Sequence, residues 1–343
     1  MSQVDQIIRL VQDNSPESAD RLALVDAPEL ADTGVHVGDR TLSWCDDWRS
    51  NRLLPLALQQ TDENGADTLG QPTLDGADLV WMRMPRSLSG LDEYAAQVAH
   101  WASPDVTVVA FGRNQDLTRS MNEVLSHHFE QVHASLGVGK YRALVASDPR
   151  PTATASPETA WPRKRHHGDL GLTLWAHGDT FATNRVDDGT RLLVDHLDDV
   201  PGGDVLDFGS GSGIIATLLA RRALPTRTTA IDVSRWAVDS TRRTAQANDV
   251  TVEAHWADGT SDLPSHSLDA IVTNPPFHRG AAKESSATLA LIEDAARVLR
   301  PGGQIWVVFN SHLPWRTRLA QVVGPTELIA QDRFYTLVRA TRR

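Results

Sequence analysis

Among the 343 residues of the chain, Val205-Leu206-Asp207-Phe208-Gly209-Ser210-Gly211-Ser212-Gly213 puts glycines at alternate positions between two apolar runs. Glycine lets a backbone turn sharply and approach a ligand where any Cβ would clash. A helix starting there adds free backbone N–H groups. A nicotinamide or flavin fingerprint needs glycine at its first, third and sixth positions; counted from Gly209, the sixth is Ile214. A P-loop needs Gly-Lys-Ser/Thr, which the stretch lacks. Asp232 falls 19 residues after Gly213, near the roughly 20-residue offset at which an acid reaches ribose hydroxyls. The alternative for Asp232 is a helix N-cap, a role Ser234 can share. Asp258 lies in Ala257-Asp258-Gly259, a dipeptide setting that also makes turns.

Asn274-Pro275-Pro276-Phe277 follows the apolar run Ala270-Ile271-Val272-Thr273. Consecutive prolines fix φ and remove N–H donors, leaving nearby carbonyls free to accept. With the Asn274 carbonyl they form a small acceptor cluster suited to an exocyclic amine. Phe277 offers a flat face on which a base can stack, worth about 1–3 kcal/mol. For this tetrapeptide alone, a Pro-rich turn with Phe277 in the core is a rival. Its position after the glycine loop and Asp232, each at a strand's C-terminal end where α/β sheets bind ligands, favours the site.

These motifs need strands and helices to hold them. In the second half, Asp204–Phe208, Thr228–Val233, Thr251–Trp256, Ala270–Thr273 and Gln304–Phe309 read as strands. Ile214–Arg222, Trp236–Asn248 and about 285–300 read as helices, the last ended by the turning signal Pro301-Gly302-Gly303. Glu327–Ala330 and Phe334–Arg339, split by a polar break, predict a terminal hairpin. In the first half, strands are expected at Ala77–Met84, Val106–Phe111 and Tyr141–Ala146, with helices over Leu88–Ala102 and Leu117–Phe129. That alternation implies a parallel sheet covered by helices. No strand there leads into a glycine-rich turn; after Leu22-Ala23-Leu24-Val25 comes Asp26-Ala27-Pro28-Glu29. The first half is therefore expected to be an α/β domain without a cofactor site. Residues 30–75 are too weakly patterned to assign. Pro149, Pro151, Pro157 and Pro162 precede and interrupt a linker that ends in the basic run Arg163-Lys164-Arg165-His166-His167. The domains are expected at 1–150 and 170–343, joined by 151–169.

Composition narrows the classes. The length suits about two domains, and no apolar run approaches the roughly 18 residues of a membrane span. The start, Met1-Ser2-Gln3-Val4-Asp5, has neither a basic nor an apolar leader segment. One cysteine, Cys45, excludes an internal disulfide or a cysteine metal cage. No metal site is expected, and the location expected is cytoplasmic. The net charge of −11 sits in residues 1–160, with 12 Lys and Arg against 23 Asp and Glu. An acidic chain is a poor sign for non-specific nucleic-acid binding. Any nucleic-acid contact should be local and in the neutral second half, with Arg163–His167 and Arg316, Arg318, Arg339, Arg342 and Arg343 as candidate phosphate contacts.

The glycine loop, with an acid two residues before its first glycine, resembles the first motif of S-adenosylmethionine-dependent methyltransferases. With Asn274-Pro275-Pro276-Phe277 it looks like the enzymes that methylate exocyclic nitrogens. Phe277-His278, Phe309-Asn310-Ser311-His312-Leu313-Pro314-Trp315, Ile329–Tyr335 and Phe181–Thr190 resemble the ribosomal RNA guanine-N2 methyltransferases. Met82-Arg83-Met84-Pro85-Arg86-Ser87-Leu88 is similar to the large-subunit (23S) branch, to which the small-subunit (16S) branch is related. That family usually has Ser-Arg after the phenylalanine where Ala182-Thr183 stand here, with Arg185 nearby.

The resemblance implies two tandem Rossmann-like methyltransferase-type α/β domains. The first is degenerate and serves substrate recognition. The second has a seven-stranded sheet with a terminal antiparallel hairpin. It implies S-adenosylmethionine as cofactor, held by Asp187, Gly189, Asp207, Gly209, Ser210, Gly211, Gly213, Asp232, Val233, Asp258, Gly259 and Asn274. Asn274, Pro275, Pro276 and Phe277 would be catalytic. The implied partner is ribosomal RNA or a ribosomal subunit, met by a monomer with no membrane contact. The alternatives are a 16S substrate, transfer to protein glutamine or adenine, and a non-catalytic RNA-binding assembly factor.

Overall fold

The computed structural model describes residues 1–32, 40–61, 69–150, 160–224, 226–275 and 282–343, with side chains of the last span from 289 onward. The chain divides into two units, Met1–Arg163 with His177–Thr180, and Lys164–Ala176 with Phe181–Arg343.

In unit 1 the elements run α1 (Gln3–Asp13), β1 (Arg21–Val25), β2 (Arg40–Trp44), α2 (Trp48–Arg52), α3 (Gln71–Leu74), β3 (Leu79–Arg83), α4 (Leu88–Trp101), β4 (Thr107–Arg113), α5 (Arg119–His128), β5 (Phe129–Ala134) and β6 (Tyr141–Pro149). Their sheet has the order β2-β1-β3-β4-β6-β5. The first four strands pair in parallel, as expected. β6 and β5 are antiparallel, which corrects the expectation of a wholly parallel sheet. The chain leaves α5 directly into β5, so no crossover helix separates β5 from β6 and they can pair only as a hairpin.

Unit 2 holds β7 (Arg163–His167), β8 (Leu172–Ala176), α6 (Asp188–Val194), β9 (Gly203–Phe208), α7 (Ile214–Arg221), β10 (Thr226–Asp232), α8 (Arg235–Ala247), β11 (Glu253–Trp256), β12 (Leu268–Thr273), α9 (Ala282–Val298), β13 (Leu299–Asn310), α10 (Trp315–Val322), β14 (Thr326–Gln331) and β15 (Tyr335–Thr341). The basic run grouped with the linker is thus a strand, β7, paired with β8 in a two-stranded ribbon. The main sheet has the order β11-β10-β9-β12-β13-β15-β14. Five strands are parallel and the terminal pair β14–β15 is an antiparallel hairpin, as the polar break predicts. Pro301-Gly302-Gly303 does not separate helix from strand. It lies inside β13 at a register shift, where Leu268 faces Leu299 but Ala270 faces Gln304.

Continuous apolar strands bury both faces of this sheet. Val205, Ala270, Val272, Trp306 and Val308 pack on one side with Leu193, Ile215 and Leu219 of α6 and α7. Leu206, Ile271, Ile305 and Val307 pack on the other with Leu291, Ile292 and Val298 of α9 and Leu319 of α10. Each such side chain, fully buried, contributes about 1.5–3 kcal/mol. This three-layer core holds rigid the strand ends that carry the motifs. Among the described residues no helix is long and apolar enough to cross a membrane, and no group of three His, Cys, Asp or Glu side chains is placed to hold a metal ion.

Candidate active site

β9 ends at Phe208 and the backbone turns at once, with Gly209, Gly211 and Gly213 at φ of +74°, +55° and +77°. Gly209 N–H donates to the Ile231 carbonyl of β10 at 2.8 Å, locking the turn to the neighbouring strand. A Cβ on Gly209 would meet nothing within 4 Å, so that glycine serves the backbone angle and leaves open space above it. Gly213 is different: a Cβ there would lie 2.7 Å from Thr241 Cα, so this glycine also lets α7 and α8 approach. Thr241 Oγ1 donates to Ser210 Oγ at 2.9 Å, fixing the loop to α8.

Two acids brace the loop. Asp207 is fully buried; its Oδ2 accepts from Ala216 N–H in the first turn of α7 at 2.9 Å, and its Oδ1 meets no donor among the described residues. Burial pushes its carboxyl up to about 7, opposed by the Ala216 bond and assisted by the charge of Asp232. The acid therefore supports the loop from within the core and does not line the cleft. Asp232 ends β10, where Oδ2 accepts from Gly211 N–H and Oδ1 from Ser234 N–H, each at 2.9 Å. The cap of α8 is Ser234, whose Oγ accepts from Ala237 N–H.

Asn274 follows β12, and Thr273 Oγ1 donates to the Phe208 carbonyl at 2.7 Å, tying the ends of β12 and β9 together. The Asn274 Nδ2 group donates to Asp187 Oδ1 and Oδ2 at 3.1 and 3.0 Å and to Thr190 Oγ1 at 2.9 Å. Asp187 is the N-cap of α6, its Oδ1 accepting from Thr190 N–H at 2.6 Å. Gly189 is buried, and a Cβ on it would press on the Tyr335 ring at 3.0 Å and approach Asn274 Oδ1 at 3.4 Å. Its smallness is needed for that packing. Burial and the charges of Asp187, Asp188 and Asp332 hold the Tyr335 phenol above its ordinary value.

A cleft opens here, lined by Gly209, Ser210, Gly211, Asp187 and Asn274 together with Phe181 and Arg185. The structure thus brings five of the expected residues around one space, with Asp207, Gly213 and Asp232 underpinning it. Val233 follows Asp232 and its carbonyl accepts from Trp256 Nε1 at 2.7 Å. Asp258, which is exposed, and Gly259 lie on the loop after β11, outside that lining. Pro275 is buried beside Asn274; Pro276, Phe277 and His278 lie outside the described residues.

Ser212, Thr190, Ile214 and Ile215 also line the cleft and carried no separate signal in the sequence. Ala182 and Thr183 both take left-handed φ, +56° and +50°, in the segment that brings Phe181 and Arg185 to the cleft. Of the candidate phosphate contacts, Arg318 pairs with Glu293 and Arg339 with Glu327, each at 2.6 Å, while Arg165 and Arg316 are exposed. His128 is engaged by Asp92 at 2.8 Å, and Cys45 is buried, as a small core residue should be.

Known proteins share both halves. A family of methyltransferase small domains matches residues 171–339, and an RLMG N-terminal domain family matches residues 38–151. The ribosomal RNA large subunit methyltransferase G of Streptomyces coelicolor is 32% identical over 284 residues, covering 80% of this chain and 74% of that protein. The small subunit methyltransferase C of Pseudomonas paraeruginosa is 39% identical over 162 residues, 47% of this chain and 48% of that one. Among solved structures, a T. thermophilus 16S rRNA guanine-N2 methyltransferase in complex with AdoMet and guanosine has the same fold. It aligns with a TM-score of 0.74 at 20% identity, over 98% of this chain and 92% of that one. A shared two-domain organisation, a glycine loop facing Asn274 and these relatives lead to one conclusion: the chain belongs to the ribosomal RNA large subunit methyltransferase G family.

Proposed function

We propose that this protein transfers a methyl group from S-adenosylmethionine to the exocyclic N2 amine of a guanine in large-subunit ribosomal RNA. The reading is carried by one observation: at the end of β12 the Asn274 amide lines the same cleft as the glycine loop, with its nitrogen already bonded.

The residues present suit the cofactor. The open space over Gly209 and the wide turn at Gly211 form a cradle that side chains would fill. Gly209, Ser210 and Gly211 would hold its amino-acid end, and Asp232, whose carboxylate sits against Gly211 N–H at the end of β10, its ribose. When bound, S-adenosylmethionine supplies an electrophilic methyl carbon on a sulfonium that needs no further activation.

What the protein must provide is a competent nucleophile, because the guanine amine lone pair is delocalised into the ring. Asn274 Oδ1 and the Pro275 carbonyl would accept the two amine protons and turn the lone pair out of conjugation. Positioning of this kind supplies up to about 7–11 kcal/mol. Acceptors aimed at charge growing on the nitrogen add electrostatic stabilisation. The alkylated amine is strongly acidic and gives its proton to water. Unit 1, which matches the family's N-terminal domain, would recognise the RNA, and the enzyme would work as a monomer in the cytoplasm.

The test is incubation with methyl-labelled S-adenosylmethionine and deproteinised 23S or 16S rRNA, followed by digestion to nucleosides. N2-methylguanosine from 23S rRNA is expected. The same nucleoside from 16S rRNA alone would move the substrate to the small subunit, and label in adenosine or in protein would overturn the guanine assignment.

A further inference from the structure

Asn274 has an ambiguity that its chemistry must resolve. The two ends of an amide are nearly the same shape, yet one only donates and the other only accepts. A site built to hold an amine by its protons works with the oxygen inward and fails with the nitrogen inward.

We infer that Asp187 and Thr190 are positioning residues that fix the polarity of the Asn274 amide, making the cleft selective for a group that donates hydrogen bonds. This rests on the amine-transfer reading proposed above and deepens it. A carboxylate can only accept, and Asp187 sets both oxygens against Asn274 Nδ2, at 3.1 and 3.0 Å. Thr190 Oγ1 takes the remaining hydrogen at 2.9 Å. Turning the amide over would break both Asp187 bonds and press Oδ1 against two carboxylate oxygens, while the Thr190 hydroxyl would have to turn from accepting to donating.

Asp187 and Thr190 stand three residues apart at the start of α6, so one helical turn presents both acceptors to Asn274. Asp187 is itself held as N-cap by Thr190 N–H at 2.6 Å. Gly189, between them, leaves the room in which Asn274 Oδ1 lies. Both amide hydrogens are consumed on the protein side, and the face left for a ligand is an acceptor alone. Asp187 was expected to hold the cofactor; its carboxylate is instead committed to the catalytic amide.

The test uses Asp187→Asn, which keeps a good N-cap but offers Asn274 a donor as well as an acceptor. With the whole protein and deproteinised rRNA, kcat should fall by about tenfold to a hundredfold, while the calorimetric Kd for S-adenosylmethionine changes less than about threefold. Thr190→Val should give a smaller loss in the same parameter, and Thr190→Ser should restore it. A second readout needs no turnover: in ligand-free protein labelled with ¹⁵N-asparagine, the Asn274 side-chain protons, assigned by their loss in Asn274→Ala, should exchange slowly and exchange faster in Asp187→Asn. Unchanged kcat and unchanged exchange would overturn the inference, as would a tenfold loss of cofactor affinity at unchanged kcat, which would make Asp187 a cofactor ligand. A wild-type protein that leaves guanine unmethylated would defeat the proposed function, while the exchange measurement would still decide the polarity.

Discussion

After β1, Asp26 takes a left-handed φ of +51° and its N–H donates to the Trp44 carbonyl of β2 at 2.9 Å; after β9, Gly209 takes +74° and donates to the Ile231 carbonyl of β10 at 2.8 Å. The two sheets also share a strand order, with β2-β1-β3-β4-β6-β5 matching β10-β9-β12-β13-β15-β14 and only β11 without a counterpart. The same backbone turn therefore leaves the same strand in both units. What differs is the side chains. In unit 1 the turn is made by an aspartate whose carboxylate accepts from the Tyr94 hydroxyl and from Asp46 N–H, and the chain goes on into Ala27 and Pro28. In unit 2 it is made by glycine, and a Cβ there would meet nothing within 4 Å. By the strand registers, Arg83 in unit 1 stands where unit 2 has Asn274, and it donates to the Asp26 carbonyl at 3.0 Å and pairs with Glu29. A guanidinium only donates, so it cannot hold an amine by its protons. The two units thus share a frame and differ in the residues at two strand ends.

The comparison can be broken most sharply at those ends. Asn274→Ala should lower turnover by roughly a hundredfold or more and spare cofactor binding, whereas Arg83→Ala should leave turnover within about twofold; kcat and calorimetric Kd, measured together, check both. Calorimetry should also count one S-adenosylmethionine per chain, and a count of two would mean that unit 1 keeps a working site. Next in size, Gly213→Ala adds a Cβ only 2.7 Å from the α8 backbone and should cost about 1–3 kcal/mol of unfolding free energy in denaturant.

Burial sets a smaller effect, in the same direction in both units. It raises Asp26 to about 6 and Asp207 to about 7. Folding therefore favours the protonated acid. The stability each contributes is fully present below the ordinary carboxylate range near pH 4, about 3.9 for Asp, and is lost as pH rises through about 6 for Asp26 and about 7 for Asp207. Asp26→Asn and Asp207→Asn should each flatten that part of the stability-against-pH curve; a slope unchanged in both variants would remove the burial argument. Smallest of all, Gly209→Ala meets open space and should cost only the left-handed backbone penalty, about 1–2 kcal/mol, unless cofactor is present to compete for the methyl group's volume.

The glycine loop, Asp232 and Asn274 were legible in the sequence because each ends an apolar strand, and strand ends converge by topology. The terminal hairpin was legible from the polar break at Gln331-Asp332-Arg333. The sequence marks Asp187 as a site residue but not its bond to Asn274, which joins residues 87 apart, a distance over which no local pattern carries. β5 escapes the sequence because Phe129 alone in it is buried, Val132 is half-buried and the other four residues are exposed, so it lacks the apolar run that marks a buried strand. β7 was missed because all its residues are charged or histidine, and its partner β8, not a core face, makes it a strand. Asp207 illustrates the limit from the other side: motif spacing ties it to the loop, but only the structure shows that it is sealed beneath it.

Nucleoside mapping of ribosomal RNA from cells lacking this protein bears most directly on the amine-transfer claim. One N2-methylguanosine in the large-subunit RNA should disappear, return with the wild-type chain, and stay absent with Asn274→Ala. An unaltered N2-methylguanosine profile, or its restoration by Asn274→Ala, would contradict the account.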